Sequence, residues 1–168
     1  MNSEPMARAP GSRGGQARHS GYTLVEVVTV VAIVAILAAV AVPSFATFTA
    51  QQRIKTASSD LYLSMSKARS ESVKRNSNIV VQPLNAGLGW QGGWGVWDPV
   101  NNVYLDQRSA ATGATIASNA AAITYQPSGR IQGGAAVQFN VSSSNPSAMP
   151  RCLLLDPSGR PYLKGAAC

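Results

Sequence analysis

Histidine is almost absent from this sequence of 168 residues, and the single one, His19, lies near the amino terminus. Without histidine in the rest of the chain, neither a Ser-His-Asp nor a Cys-His nucleophile can form there, and histidine metal sites are excluded as well. The carboxylates beyond residue 50 show no spacing typical of an acid–base pair; they are Asp60, Glu71, Asp98, Asp106 and Asp156. We therefore expect no enzymatic activity, no cofactor and no metal.

Lysine and arginine are missing from one long stretch, since neither occurs between Arg18 and Arg53. Residues 27–42 within it are almost purely apolar, a length that allows a membrane-spanning helix together with the flanking residues. The stretch carries one charge, Glu26. A carboxylate in a membrane-spanning helix costs about 2.5 to 3.5 kcal/mol near the bilayer centre and less near an edge, so we expect Glu26 to have a cationic partner.

The junction before this stretch has a specific pattern. Residues 18–26 read Arg-His-Ser-Gly-Tyr-Thr-Leu-Val-Glu, which resembles the processing site of type IV prepilins and pseudopilins. In that family a membrane-bound prepilin peptidase cuts after the glycine, and the new amino terminus is usually methylated. The resemblance implies cleavage between Gly21 and Tyr22, N-methylation of Tyr22 and an assembly role for Glu26. The family usually has Phe where this chain has Tyr22, so the aromatic ring is kept.

The spacing within the helix is consistent with that assembly role. At 1.5 Å per residue, Glu26 lies about 6 Å along the axis from Tyr22. This is too far to neutralise its own terminus well, but it suits the α-amino group of a neighbouring subunit displaced by one step, and such a group is largely cationic at neutral pH. Pairing the two buried charges relieves both desolvation penalties and sets the stagger between subunits.

Two simpler interpretations of the apolar segment stay open. One is a secretory signal peptide, which also has a basic start, an apolar middle and small residues such as those at 46–50. Signal cores are usually shorter, however, and rarely include a glutamate. The other is a single-pass membrane anchor, which the length allows but which leaves both the junction at Gly21 and the carboxylate of Glu26 without a role.

These features divide the chain into four parts. Residues 1–21 form a basic leader, starting at Met1 or Met6, whose arginines predict a cytoplasmic amino end and a translocated head. Residues 22–52 form a transmembrane and filament-core helix, residues 53–76 form the amphipathic half of the same helix, and residues 77–168 form a β-rich head. We expect a single-pass inner-membrane precursor with a periplasmic head, which then enters an extracellular or periplasmic filament.

The pattern of apolar residues predicts the fold class. Helical periodicity continues past Pro43 and predicts one helix of about 55 residues; its apolar or small face comprises Ile54, Ala57, Leu61, Met65, Ala68 and Ser72. Pro43 removes a backbone donor and should bend this helix, and it matches a kink-forming proline common in pilins. Short β-like runs follow, at 79–82, 94–97, 103–107, 115–117, 123–125, 136–141, 152–155 and 161–163. A long helix followed only by strands predicts an α+β, pilin-like fold, with the helix packed against a C-terminal antiparallel sheet.

The sequence has two cysteines, Cys152 and Cys168, both near the carboxyl terminus. Exported heads meet an oxidising compartment, so we expect the two thiols to form a disulfide. In the chain-entropy model, closing a loop of this size contributes about 3 kcal/mol. The bond would also hold a terminus that otherwise frays.

Two further motifs narrow the resemblance. Residues 67–76, followed by Ile-Val-Val at 79–81, are similar to the helix-to-first-strand junction of the minor pilins and pseudopilins labelled GspH/FimT. Pro-Ser-Gly-Arg occurs at 127–130 and at 157–160, and paired turns of this kind are typical of the same group. The resemblance implies a minor pilin of a type IV pilus, placed at or near the tip, whose partners are other major and minor pilins. The H-class pseudopilin of a type II secretion system shares these features.

Cations near these turns add a DNA-binding interpretation. Some members of the family bind DNA during natural transformation through a Gly-Arg-x-Arg tail, but residues 159–162 read Gly-Arg-Pro-Tyr here, so the second arginine is missing. A patch of cations would still neutralise a few phosphates, with one tyrosine stacking on a base; the candidates are Arg130, Arg151, Arg160, Lys164 and Tyr162. The alternative is that these are ordinary solvated charges beside turns.

Overall fold

A computed structural model describes residues 21–168 of the chain. One helix is followed by a short 3₁₀ helix, Gly89–Gly92, and eight strands: α1 (Leu24–Arg75), β1 (Ile79–Pro83), β2 (Trp94–Asp98), β3 (Val103–Arg108), β4 (Thr115–Ser118), β5 (Ile123–Tyr125), β6 (Val137–Ser142), β7 (Arg151–Leu155) and β8 (Pro161–Lys164). Each run that the sequence pattern predicted is a strand, with both ends within one residue of the prediction. The α+β fold class is confirmed.

Helix α1 ends at a recognisable stop signal. Asn76 adopts a left-handed backbone conformation with φ of 49°. The amide of Ser77 donates to the carbonyl of Ser72 at 3.2 Å, and the amide of Asn76 donates to that of Val73 at 3.3 Å. This pair of bonds is the Schellman arrangement, in which asparagine can replace the usual glycine. The chain therefore leaves the helix in the direction needed to enter β1.

The strands form two antiparallel sheets of four. The first has the order β3-β2-β1-β5 and the second has the order β4-β6-β7-β8. The registers are regular except for a shift between Val96 and Trp97, where β2 pairs with β3. Strand β4 is an edge strand of the second sheet, in the stretch that is rich in small and polar residues.

The second half of α1 supplies one wall of the core. All six residues of the predicted helix face are buried: Ile54, Ala57, Leu61, Met65, Ala68 and Ser72. The five apolar residues among them, without Ser72, belong to one hydrophobic cluster with inward residues of both sheets, among them Trp94 and Phe139. Since each fully buried large apolar side chain contributes about 1.5 to 3 kcal/mol, this helix face is a main source of the stability of the head.

The first half of α1 differs from the second in exposure. An 18-residue window in this helix has a mean hydropathy of 2.8, and none of that window is buried. Within residues 21–168, α1 is the one helix long and apolar enough to cross a membrane. Pro43 lies inside the helix, which continues on both sides of it; the bend expected there stays a prediction.

The two cysteines form the predicted disulfide. Cys152 on β7 is joined to Cys168 at the carboxyl terminus, with their Cα atoms 5.0 Å apart. The backbone amide of Cys168 also donates to Oδ1 of Asn140 on β6, at 3.4 Å. The last residues are thereby held against the second sheet.

Candidate functional site

The amino-terminal end of α1 begins at a capped position. Oγ1 of Thr23 accepts a hydrogen bond from the amide of Glu26 at 3.2 Å, and the carbonyl of Thr23 accepts the first helical bond, from Val27, at 3.2 Å. Thr23 is therefore the N-cap and Glu26 is the third helical residue, the spacing of a capping box. Such a cap is worth about 1 kcal/mol, and it sets the start of the helix immediately after Tyr22.

The predicted cleavage junction lies outside this helix. Tyr22 is 83% exposed, and among residues 21–168 no heavy atom other than those of its chain neighbours comes within 4 Å of where a Cβ on Gly21 would stand. A protease needs an accessible peptide bond, and Gly21 and Tyr22 are both exposed and lie before the start of the helix. Glu26, in the first turn, is exposed, and its charge also favours the positive end of the helix dipole.

The two Pro-Ser-Gly-Arg repeats form two similar turns. Gly129 donates its amide to the carbonyl of Gln126, and Gly159 donates to that of Asp156, each at 2.8 Å. Both glycines have a positive φ, 74° and 80°, which glycine adopts without strain. The turns also touch, because a Cβ placed on Gly159 would stand 2.2 Å from the carbonyl oxygen of Gly129. The repeat thus encodes two turns that lie against one another.

Helix α1 is tied to this pair of turns through Arg69. The side chain of Arg69 is half-buried, and its Nε donates to the carbonyl of Gly129 at 3.1 Å. In the second turn, the carboxylate of Asp156 accepts from the hydroxyl of Ser158 and from the amide of Arg160. These two hydrogen bonds, the hydroxyl first, lower the pKa of the Asp156 carboxyl. The negative charge of the second turn, on Asp156, is therefore already stabilised by hydrogen bonds within that turn.

Tyr125 lies beneath the junction of the turns. Tyr125 is fully buried, and its ring is 2.9 Å from where a Cβ on Gly159 would stand. Its hydroxyl has no hydrogen-bond partner within the described residues. Burial raises the pKa of the Tyr125 phenol above its usual value. Tyr125 is therefore neutral under physiological conditions and supports the turns by packing.

A groove of about 580 Å³ runs between α1 and the second turn, and we call it the helix–turn groove. Its lining residues are Tyr62, Ser66, Arg69, Ser70, Val73, Lys74, Arg160 and Pro161. Three of these side chains are cationic, and the helix contributes Tyr62, Arg69 and Val73 at intervals that place them on one face. The sequence pattern does not predict this groove. The spacing of residues in the sequence shows which side chains share one face of the helix, but it does not show which turn packs beside that face.

The predicted DNA-contacting residues are spread over two regions. Arg160 lines the helix–turn groove, and Arg130 follows the first turn, whose Gly129 touches Gly159. Tyr162 and Lys164 occur on β8, with Lys164 Nζ 5.9 Å from the Tyr162 ring centre. Arg151 begins β7 at the end of the β7–β8 hairpin far from Arg160, since Cys152 is paired with Lys164 and Leu155 with Pro161. The structure brings the two arginine turns together and leaves Arg151 apart.

A second polar cluster, also not identified from the sequence, joins the end of α1 to the β2–β3 turn. Asp98 is fully buried and accepts hydrogen bonds from Arg75, Val100 and Asn101 at 2.7 to 3.2 Å. The side-chain bond from Asn101 is the main cause that lowers the pKa of the Asp98 carboxyl. Arg75 also pairs with Glu71 at 2.6 Å. This cluster holds the helix end against the first sheet.

An exposed apolar helix that follows a predicted processing junction and precedes a β-rich head is typical of pilin-type subunits. Comparison with protein families agrees. The family described as type II transport protein GspH matches residues 57–159, and the prokaryotic N-terminal methylation motif matches residues 16–42. The chain therefore belongs to the GspH family of structural pilins and pseudopilins, and the resemblance inferred from the sequence is confirmed. Membrane anchoring of a head domain and association with other pilins follow from this membership.

Solved structures give the same fold. A crystal structure of the type IV minor pilin FimU of Pseudomonas aeruginosa superposes with a TM-score of 0.61 at 19% identity, covering 70% of this chain and 92% of that chain. A second crystal form of FimU gives a TM-score of 0.58 at 19% identity, covering 66% and 91%. A search of curated proteins finds no match.

Proposed function

We propose that this chain is a minor pilin, processed between Gly21 and Tyr22 by prepilin peptidase and incorporated into a type IV pilus at or near its tip, where it supports assembly. The observation that carries the proposal is the capped helix start. Thr23 begins the helix immediately after the junction and orients Glu26 in its first turn. Cleavage at Gly21 would release an amino terminus at the base of a helix ready to enter a filament core.

Glu26 is the assembly residue in this proposal. The carboxylate pairs with the α-amino group of a neighbouring subunit, because both charges lose their hydration when the apolar halves of the helices come together. The methyl group expected on Tyr22 leaves that amine cationic. The head, residues 77–168, stays on the periplasmic side before assembly and on the filament surface afterwards, where it contacts other pilins.

The experiment that tests processing is mass spectrometry of the protein recovered from the filament fraction. We expect a chain that begins at Tyr22 and carries one added methyl group. A chain that retains residues 1–21 would contradict both the cleavage and the assembly role. A chain that begins near residues 46–50 would instead identify a secretory signal peptide.

An H-class pseudopilin of a type II secretion system is the second candidate, favoured by the description of the matching family as a type II transport protein. Deletion of the gene separates the two candidates when twitching, protein secretion and DNA uptake are scored separately. Loss of twitching supports the minor pilin. Loss of secretion with normal twitching supports the pseudopilin.

DNA capture is a third candidate, favoured by the adjacency of the two turns that precede Arg130 and Arg160. Contacts with phosphates weaken steeply as salt rises. A mobility shift at low salt that decreases at moderate salt and in Arg160→Ala would support it. The absence of a shift at low salt would dismiss it.

A further inference from the structure

The helix–turn groove has a composition that fits a specific kind of partner. We propose that it binds an acidic segment of a different pilin, with a carboxylate placed on Arg69 and Arg160 and an adjacent apolar side chain placed against Tyr62 and Val73. The inference rests on the proposed function, because the filament supplies the partner. It adds a binding surface and the chemistry of its ligand.

Arg69 is the central residue because its guanidinium is held in place. Nε is bound to the carbonyl of Gly129 at 3.1 Å, and the side chain lines the groove. Within residues 21–168, Arg69 makes no ion pair with Asp or Glu. The two terminal nitrogens of a fixed guanidinium match the two oxygens of a carboxylate, so a pre-oriented arginine recognises carboxylates with good geometry.

The walls of the groove favour a peptide over a bare ion. The exposed side chains of Tyr62 and Val73 are on the helix side, and Pro161 is on the strand side. Serine hydroxyls at 66 and 70 lie between them. A segment with one carboxylate and a neighbouring apolar residue would use the cations, the hydroxyls and the apolar walls together, whereas an inorganic anion would use only the cations.

We place a different chain on the groove because the acidic side chains between residues 50 and 168 already have partners within their own chain. Each makes an ion pair or a hydrogen bond there; these residues are Asp60 and Glu71 on α1 and Asp98, Asp106 and Asp156 in the head. Two copies facing each other at the groove would bring like charges together, which is unfavourable. A pilin whose head is richer in acidic residues would complement it.

The arrangement of the cations favours protein over nucleic acid. A nucleic acid needs several cations along the path of its backbone. Arg151 and Lys164 lie at the other end of the β7–β8 hairpin from Arg160, and neither residue lines the groove. Its three cations surround one cleft instead. That geometry suits a single carboxylate-bearing segment.

Lys74 allows a direct test, because it lines the groove and its amine is exposed. A carbodiimide joins an amine to a carboxylate with no spacer, so treatment of isolated filaments should link Lys74 to an Asp or Glu of a different pilin. Tandem mass spectrometry identifies both peptides. The Lys74→Arg variant keeps the charge and removes the reactive amine, so the product should vanish. Lys55, an exposed lysine of α1 outside the groove, is the matched control and should give no comparable product.

The Arg160→Gln variant tests recognition without disturbing the fold, because only backbone atoms of Arg160 hydrogen-bond within the described residues. We expect it to lower the yield of the Lys74 product on the order of tenfold, the effect of one lost charge-assisted hydrogen bond. Arg130→Gln, the same change outside the groove, should leave the yield unaltered. Comparing Arg69→Lys with Arg69→Gln tests whether a positive charge at residue 69 is enough for binding. If the carboxylate needs the two nitrogens of a guanidinium, both variants should lose the Lys74 product.

Different failures point to different conclusions. A protein missing from the filament fraction would overturn the proposed function. If the protein is present in filaments, two cross-linking results would overturn this inference and leave the proposed function intact. One is a link from Lys74 to a second copy of the same chain, and the other is no link beyond the internal one to Glu71. The inference would also be overturned if Arg160→Gln abolished a DNA mobility shift and left the Lys74 product unchanged.

Discussion

Gly159 lies against the carbonyl oxygen of Gly129, so closely that a Cβ on Gly159 would stand 2.2 Å from that oxygen. The contact joins two turns that are separated in the chain by strands β6 and β7. It also explains the need for glycine at residue 159 in terms of space, in addition to its positive φ of 80°. Because Arg69 of α1 binds the same carbonyl, this contact places the second turn beside the helix and forms the helix–turn groove.

The first prediction concerns this contact. Gly159→Ala should lower the free energy of unfolding by about 2 to 4 kcal/mol. The new methyl group must displace backbone atoms, and the alanine must also adopt a strained positive φ. Gly133→Ala is the matched control. Gly133 has a φ of 86° with no heavy atom within 4 Å of a Cβ, so only the backbone cost of about 1 kcal/mol should remain. Chemical denaturation of both variants measures the difference, and equal losses would show that the contact between the turns is unimportant.

The second prediction concerns a buried hydrogen bond in the core. The indole nitrogen of Trp94 donates to Oγ of Ser64 at 3.0 Å, and both residues are buried. Ser64→Ala should cost about 1 to 3 kcal/mol, since it leaves the indole donor unsatisfied. Ser70→Ala, an exposed serine in the same helix, should change stability by no more than about 0.5 kcal/mol. Thermal unfolding distinguishes them; a Ser64→Ala protein as stable as the parent would mean that the indole finds another acceptor.

The third prediction concerns assembly. Glu26→Ala should leave membrane insertion and cleavage intact and abolish incorporation into filaments, because the neighbouring amine loses its counter-ion. Immunoblots of the membrane fraction report processing, and those of the sheared filament fraction report incorporation. Thr29→Val is a suitable control, since the hydroxyl of Thr29 donates to the carbonyl of Val25 in the same helix and has no other partner within residues 21–168. Normal incorporation of Glu26→Ala would remove Glu26 from its assigned role.

The fourth prediction concerns pH. Hydrogen bonds from Asn101 and Val100, together with Arg75, lower the pKa of the Asp98 carboxyl in the folded head. The stabilisation is therefore fully present above the unfolded pKa, about 4, and is lost as pH falls through the lower folded value. Asp98→Asn should be less stable than the parent at pH 7, and the two should converge as the pH drops below about 4. Denaturant midpoints across this range measure the difference. A gap that stays constant with pH would show that the charge of Asp98 does not contribute.

Several elements could be predicted from the sequence because their signals are local. The helix face repeats at three and four residues, the strands are bounded by turn residues, and the stop at Asn76 follows from its tolerance of a left-handed backbone. The junction at Gly21 and the isolated Glu26 are local as well. Two cysteines leave one intramolecular pairing, so the disulfide was predictable without a structure once an exported head was expected.

Tertiary structure alone decided which of these local elements meet. The bond from Arg69 to Gly129 joins residues 60 apart, and that from Trp94 to Ser64 joins residues 30 apart. Such partners depend on strand order and on sheet-to-helix packing, which periodicity does not encode. The sequence thus determined the long helix, the strands and the disulfide, and it predicts the processing site. The fold determined the groove, because its walls come from parts of the chain that only long-range packing brings together.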